Sequence, residues 1–260
     1  MSDETHSSFR TLTVGGVFRE SLLLYREMWM QLLAIVAPCS VIGAVVYLFI
    51  FDQQSNPTPT TSGTTASLGT LSFFALLIFL SCAGIALGTL VISMRVSGGA
   101  SSVGKALLYI VDVFFPLFGT LVFASIAIVA GLFTLAIPGL VLYGWFCLAP
   151  AVVTIEGEGG IGALKRSFVI VKGYWNKAFF VVVLLAILQL IVGSLIYLLS
   201  EMIGAFGGIT EVNEFLSILL PLLIVEPLKI ATTTLLYYDL RIRKEGYTIQ
   251  TMADEIGALS

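Results

Sequence analysis

Charge is scarce in this chain. Of 260 residues, only 11% are Asp, Glu, Lys or Arg, while 58% are hydrophobic. A water-soluble domain carries roughly 25% charged and about 45–50% apolar residues. So little polar surface cannot cover a globule of this size in water, and so apolar a chain does not stay unfolded in it. A soluble monomer and a disordered chain are both excluded. Histidine is scarcer still: His6 is the only one, in a polar N-terminal stretch. A metal centre, a haem or a His-based triad needs histidines in the body of the protein, so none is expected. The three cysteines, Cys39, Cys82 and Cys147, lie inside apolar runs and form no C-x-x-C pair. They read as structural thiols rather than a disulfide or metal framework. The net charge of −3 comes with no basic stripe, which argues against nucleic acid. The opening MSDETHSS is polar and acidic, unlike the basic start of a signal peptide.

What is abundant is long apolar sequence. A helix needs about 20 apolar residues to cross the hydrocarbon of a bilayer. Six runs qualify, near 29–51, 70–94, 117–136, 139–155, 178–199 and 215–238. The first is too long for a signal-peptide core and reads as a retained span. The fourth is short and contains Pro150, so a break near its end is expected. Ile137-Pro138-Gly139 between the third and fourth reads as a tight turn.

The cations fix the expected orientation. Arg10, Arg19 and Arg26 precede the first run; Arg95 and Lys105 follow the second. Lys165, Arg166, Lys172 and Lys177 separate the fourth from the fifth, and Arg241, Arg243 and Lys244 follow the sixth. Twelve of the thirteen basic residues thus fall on one side, which predicts cytoplasmic N- and C-termini. Residues 1–10 and 247–260 are then cytoplasmic tails, and 52–67 is an external flexible loop.

Three segments on the basic side resemble one another: GGVFRESLLLYREMW (15–29), SVGKALLYIVDVFF (102–115) and GALKRSFVIVKGYW (162–175). Aligned on Arg19, Lys105 and Lys165, they carry Arg26, Asp112 and Lys172 seven residues on, and then Trp29, Phe115 and Trp175 after three more. Seven residues make two helical turns, so the first two columns share a polar face. Phe18, Leu22, Tyr25 and Trp29 form an apolar face, repeated by Leu164, Phe168, Val171 and Trp175. The predicted fold is all-α, with six transmembrane helices as three hairpins. Each hairpin is preceded by a cytoplasmic interfacial amphipathic helix, in a pseudo-threefold repeat of units near 14–96, 101–156 and 160–240. Trp29, Phe115 and Trp175 are the expected interfacial anchors. Arg19, Lys105, Lys165, Arg166 and Lys172 are candidate contacts for anionic lipid headgroups, alongside their ordinary part in setting topology.

The third unit and the C-terminal stretch also carry motifs. Leu135-Ala136-Ile137-Pro138-Gly139-Leu140, Ala163-Leu164-Lys165-Arg166-Ser167 and Leu236-Tyr237-Tyr238-Asp239-Leu240-Arg241-Ile242-Arg243-Lys244-Glu245-Gly246 are the most specific. Together they resemble a prokaryotic family similar to the membrane domain of glycerophosphoryl diester phosphodiesterases, over nearly the whole chain. In some members that domain is fused to a catalytic barrel. The residues after 250 leave no room for one, so the resemblance implies the membrane domain without the phosphodiesterase activity.

Glu226 and Lys229 fall inside the sixth run. Charges at mid-membrane cost about 2.5–3.5 kcal/mol for Asp, Lys or Arg on insertion scales. Three residues apart, the two can pair on one helix face. Pro221 and Pro227 are expected to kink the same helix. This is either a neutralised pair holding a kink, or a transport or ligand site in a broken helix. Gly84-x-x-x-Gly88 and Gly204-x-x-x-Gly208 read as intramolecular packing motifs. Glu156 and Glu158 read as carboxylates of a solvated glycine-rich turn, and Gly157-Glu158-Gly159-Gly160 lacks the lysine of a phosphate-binding loop.

No enzyme and no cofactor is expected. The leading functional expectation is a non-catalytic membrane scaffold, an accessory subunit of a membrane complex, or a lipid-associated module. Its partners are membrane lipids and other membrane subunits. The alternative is a small-solute or lipid transporter or channel built on Glu226 and Lys229.

Overall fold

The structure, a computed structural model, describes residues 12–55, 80, 82–96, 103–134, 136–205 and 210–246. Every element among the described residues is a helix. In chain order they are α1 (Val14–Ser55), α2 (Cys82–Val96), α3 (Val103–Thr134), α4 (Ala136–Phe146), α5 (Ala149–Glu156), α6 (Gly160–Val171), α7 (Trp175–Ala205) and α8 (Thr210–Glu245). Five segments are long and apolar enough to span a bilayer: Val14–Val45, Val111–Thr134, Pro138–Glu156, Trp175–Ala205 and Phe215–Glu245. The protein is a membrane-embedded, multi-pass helical bundle. The second expected span is represented only by α2, which is shorter than a span; its beginning at 70–79 lies outside the described residues. So do both expected tails and most of the expected 52–67 loop, although α1 runs into that loop as far as Ser55.

Three boundaries differ from the sequence reading. First, the segments at 15–29 and 103–115 are not separate helices. They are the first turns of α1 and α3, and in α3 even Pro116, which removes one backbone donor, does not end the helix. Only α6 stands apart: after Val171 the chain turns through Gly173, whose φ of 98° suits glycine, before α7 begins. Second, residues 137–139, expected as a turn, are helical. α3 ends at Thr134 and Pro138 sits in the first turn of α4, where a proline forfeits no helical hydrogen bond. Third, the fourth run does break, but ahead of Pro150. α4 ends at Phe146, and α5 begins with Pro150 in its first turn.

The faces also sort differently. In α1, Leu22 and Trp29 are exposed, while Val17, Ser21, Met28, Leu32 and Ile35 pack inward. In α6 the equivalent residues turn inward: Leu164 and Val171 are buried, and the Phe168 ring meets Trp145 edge-on at 4.8 Å. The apolar face of α6 therefore covers protein. Its outward residues are Ile161, Lys165, Val169 and Lys172.

The core sits at one end of the bundle. It gathers α2, the start of α1, Val113 and Leu117 of α3, α5, α6, the start of α7 and the last third of α8. The buried residues of α7 stop at Leu185; beyond it Leu190, Ile191, Leu195, Leu198 and Met202 are exposed. Hydrocarbon solvates such side chains as well as a protein core does, so this splaying costs little. Close approaches join the packed parts. A Cβ on Gly139 would come within 2.8 Å of the Leu132 backbone nitrogen, and one on Gly159 within 2.6 Å of Pro116. Thr120 Oγ1 accepts the Gly160 N–H at 2.6 Å, pinning the start of α6 to α3.

Gly139→Val forces α4 away from α3. Overpacking of this kind costs about 1–3 kcal/mol. Thermal unfolding of the detergent-solubilised variant should show a lowered Tm; an unchanged Tm rules out the close approach.

Candidate functional site

Two polar clusters occupy the packed end, where the start of α1, the end of α5, α6, the start of α7 and the end of α8 converge. In the first, Glu156 at the end of α5 accepts Arg166 Nε of α6 at 2.7 Å and the Tyr237 hydroxyl of α8 at 2.7 Å. Arg166 also forks onto Glu245 of α8, at 2.5 and 2.9 Å. Arg241 closes the ring: it donates to Glu245 at 3.1 Å and to the Tyr237 hydroxyl at 2.8 Å. Two carboxylates and two guanidiniums balance. The Glu156 side chain is 13% exposed and that of Arg241 only 7%. The bonds to Glu245, then to Glu156, outweigh partial burial and raise the pKa of the Arg166 guanidinium above its already high value. Its charge is therefore permanent.

The second cluster centres on Asp239, which is 4% exposed. Asp239 Oδ1 accepts the Leu12 N–H at 2.6 Å, and Oδ2 accepts Lys177 Nζ at 2.5 Å and Arg243 Nε at 2.9 Å. Lys177 and Arg243 also both donate to the Leu12 carbonyl, each at 2.6 Å. One peptide segment ahead of α1 is thus held at both its N–H and its C=O by α7 and α8. The Arg243 guanidinium lies 5.8 Å from the Tyr174 ring centroid. Lys244 caps the end of α6 through the Val169 carbonyl and, at 2.7 Å, the Lys172 carbonyl. Across the bundle Arg95 of α2 pairs with Glu27 of α1, both half-exposed.

Glu156 is therefore not a carboxylate of a solvated turn. The left-handed Gly157 (φ 74°) ends α5 and leaves the carboxylate facing α6 and α8, while Glu158 does point outward. Arg166 is likewise held by two carboxylates, unlike Arg19, Lys165 and Lys172, which are exposed. Lys105 falls in α3 at a position where side chains are not described. Of the aromatic columns, Trp29 and Phe115 are exposed at 46% and 75%. Trp175 instead stacks on Phe179 at 4.8 Å, with its indole nitrogen against Gly144 of α4.

Lys229 Nζ meets Glu226 Oε1 at 2.7 Å, as their spacing predicts. Pro221 and Pro227 both lie inside α8, which nevertheless runs unbroken from Thr210 to Glu245. Each proline removes only its own N–H and disturbs one carbonyl, and the turns on either side keep their pairing. Gly88 lies against Ile230 of α8, and Gly204 beside Asn213. Cys39, Cys82 and Cys147 are free thiols. Among the described residues, no three His, Cys, Asp or Glu side chains stand close enough to share a metal ion.

Sequence reasoning treated Lys177, Arg241 and Arg243 as topology markers and passed over Tyr237, Asp239 and Glu245 as a site. One signal was present: Tyr237–Arg241, Asp239–Arg243 and Arg241–Glu245 are each spaced i,i+4 on the last turns of α8. No family model, curated protein or solved structure matches this chain.

Arg166→Gln and Glu156→Gln should each cost about 1–3 kcal/mol, since each strands a partly buried charged partner. The double variant should cost less than the two singles added, by about 0.5 kcal/mol or more. Strict additivity in chemical unfolding would show that the ring is not coupled. Asp239→Asn can serve Leu12 or the cations but not both. Amide hydrogen exchange at Leu12 should then quicken about tenfold, the equivalent of one charge-assisted bond. An unchanged rate dissolves the clamp.

Proposed function

We propose that this chain is a non-catalytic protein of a prokaryotic cytoplasmic membrane. It acts as a scaffold, an accessory subunit of a membrane complex or a lipid-associated module, with both termini in the cytoplasm. It has six spans as three hairpins of like orientation, the first two preceded by cationic helical turns and the third by α6. It belongs with proteins resembling the membrane domain of glycerophosphoryl diester phosphodiesterases. One observation carries the reading. The carboxylates of the packed end (Glu156, Glu245 and Asp239) are taken up by Arg166, Arg241, Lys177, Arg243 and a backbone amide. Acid–base chemistry needs such a group within reach of a substrate proton; here they hold helices together. Arg19, Arg26, Lys165 and Lys172 are among the cations turned outward, a rim suited to anionic headgroups. The start of α1, the end of α5, the start of α7 and the end of α8 meet at this rim, which supports a common cytoplasmic side.

The second reading, transport of a small solute or lipid, is favoured by the Glu226–Lys229 pair. Its side chains are 26% and 34% exposed, in the middle of α8.

Mild-detergent extraction followed by identification of co-purifying proteins tests the scaffold reading: a stoichiometric membrane partner is expected. Recovery of the chain alone, together with solute uptake in liposomes that Glu226→Gln abolishes, would replace it with the second. For orientation, a C-terminal green fluorescent protein fusion should fluoresce and a C-terminal alkaline phosphatase fusion should be inactive. The reverse pattern inverts the topology.

A further inference from the structure

Glu226, Lys229, Thr233, Tyr237 and Lys244 are spaced 3, 4, 4 and 7 residues apart, which puts them on one stripe of α8. The stripe changes character along its length. Near the packed end it is closed: α5 and α6 pack against α8, and Tyr237 is buried and tied to Glu156. Towards the middle of the helix the cover is partial. Glu226, Lys229 and Thr233 are half-buried there, and the Thr233 hydroxyl bonds back to the Lys229 carbonyl at 2.9 Å. Tyr143 of α4, 44% exposed, lies within electrostatic reach of both charges. α4 and α8 both pack along α7. The strip of α7 between them is the α4–α8 seam. Lys229 lies about 15 Å along the helix from Asp239 and Glu226 about 24 Å from Thr210, so the seam's polar groups sit near mid-bilayer.

A half-exposed ion pair at that depth is left facing hydrocarbon, an environment that penalises it strongly, unless a polar group comes to it. We propose that the α4–α8 seam binds a zwitterionic phosphate–ammonium group, the headgroup chemistry of phosphatidylethanolamine, entering laterally from the bilayer. Lys229 and the Tyr143 hydroxyl donate to the phosphate, and Glu226 accepts from the ammonium. The ion pair opens to take the ligand, and each of its charges exchanges one partner for another, so no net charge is buried. An anionic headgroup satisfies Lys229 alone and strands Glu226; a cation does the reverse. The inference uses the membrane placement of α8 and the site of the transport reading, and is independent of the scaffold role.

The test uses the full chain in nanodiscs of mixed phosphatidylethanolamine and phosphatidylglycerol, re-isolated and analysed by native mass spectrometry. Phosphatidylethanolamine should be retained in preference to phosphatidylglycerol. Lys229→Gln and Glu226→Gln should each lower that enrichment about tenfold, the effect of one charge-assisted bond. Tyr143→Phe, which removes one hydroxyl from an exposed ring and leaves the packing intact, should lower it about threefold. Displacement of the bound lipid by soluble phosphoethanolamine would assign recognition to the headgroup alone. Displacement only by the diacyl lipid would add a contribution from the chains; either keeps the site. Equal retention of the two lipids, or an enrichment unmoved by Tyr143→Phe and Lys229→Gln alike, overturns the proposal. Neither result bears on whether a protein partner co-purifies.

Discussion

Helices surrounded by hydrocarbon gain nothing by hiding apolar side chains from it, so a bundle in a membrane must be held by other means: tight packing and polar contacts between helices. In this protein the polar contacts are concentrated in two carboxylate-centred clusters at one end. Asp239 joins the segment ahead of α1 to α7 and α8. Glu156 and Glu245 join α5, α6 and α8 through Arg166, Arg241 and Tyr237. Only α8 takes part in both, through five residues of its last turns. The chain's three distant parts, its start, its middle and its end, come into register there. The buried core of Leu32, Val91, Leu117, Val152, Ile170 and Leu236 is built around that register.

The taper of the bundle follows from that concentration. Where the charged clusters fix the helix ends, α7 buries Ala178, Val181, Val182 and Leu185; where they do not reach, its apolar side chains face outward. The distinction also decides where a ligand can enter. α5 and α6 are short helices that cover α8 only near its charged end. Above them α4 and α8 are connected mainly through α7, which leaves the mid-depth stretch of the α8 stripe open. Local stability should follow the same gradient, greatest at the clusters and falling toward the end of α7 and the start of α8.

Much of this was legible in the residues. Five of the six apolar runs located helices long enough to span, because 20 apolar residues can hardly do anything else. The i,i+3 spacing of Glu226 and Lys229 announced their pairing because helix geometry alone brings them together. Glu156 was misread for the opposite reason. Its partners lie 10 and 81 residues away, and a carboxylate between two glycines looks the same in sequence whether it faces water or an arginine. Arg166 next to Lys165 gave no hint that one turns inward and the other outward. The inward turn of α6's apolar face was hidden too, since amphipathicity does not say whether lipid or protein covers the apolar side. Yet two of the three stretches quoted for the family resemblance, 163–167 and 236–246, are joined by the Arg166–Glu245 ion pair. A motif of mixed charge at a helix end was a packing signal.

The two classes of ion pair in this protein answer to different demands. Glu156, Glu245 and Asp239 each make at least one pair that crosses between elements and specifies which helix end meets which; removing one partner leaves a charge stranded in the core. Glu226 and Lys229 are three residues apart on a single helix and specify no tertiary contact between elements. Replacing a semi-buried ion pair by apolar residues of similar volume is often neutral or stabilising, and in hydrocarbon the balance tips further toward the apolar pair. Stability of the bundle therefore gives no reason for these two charges to sit halfway along α8. A group that approaches from the membrane and needs both an anion and a cation gives one.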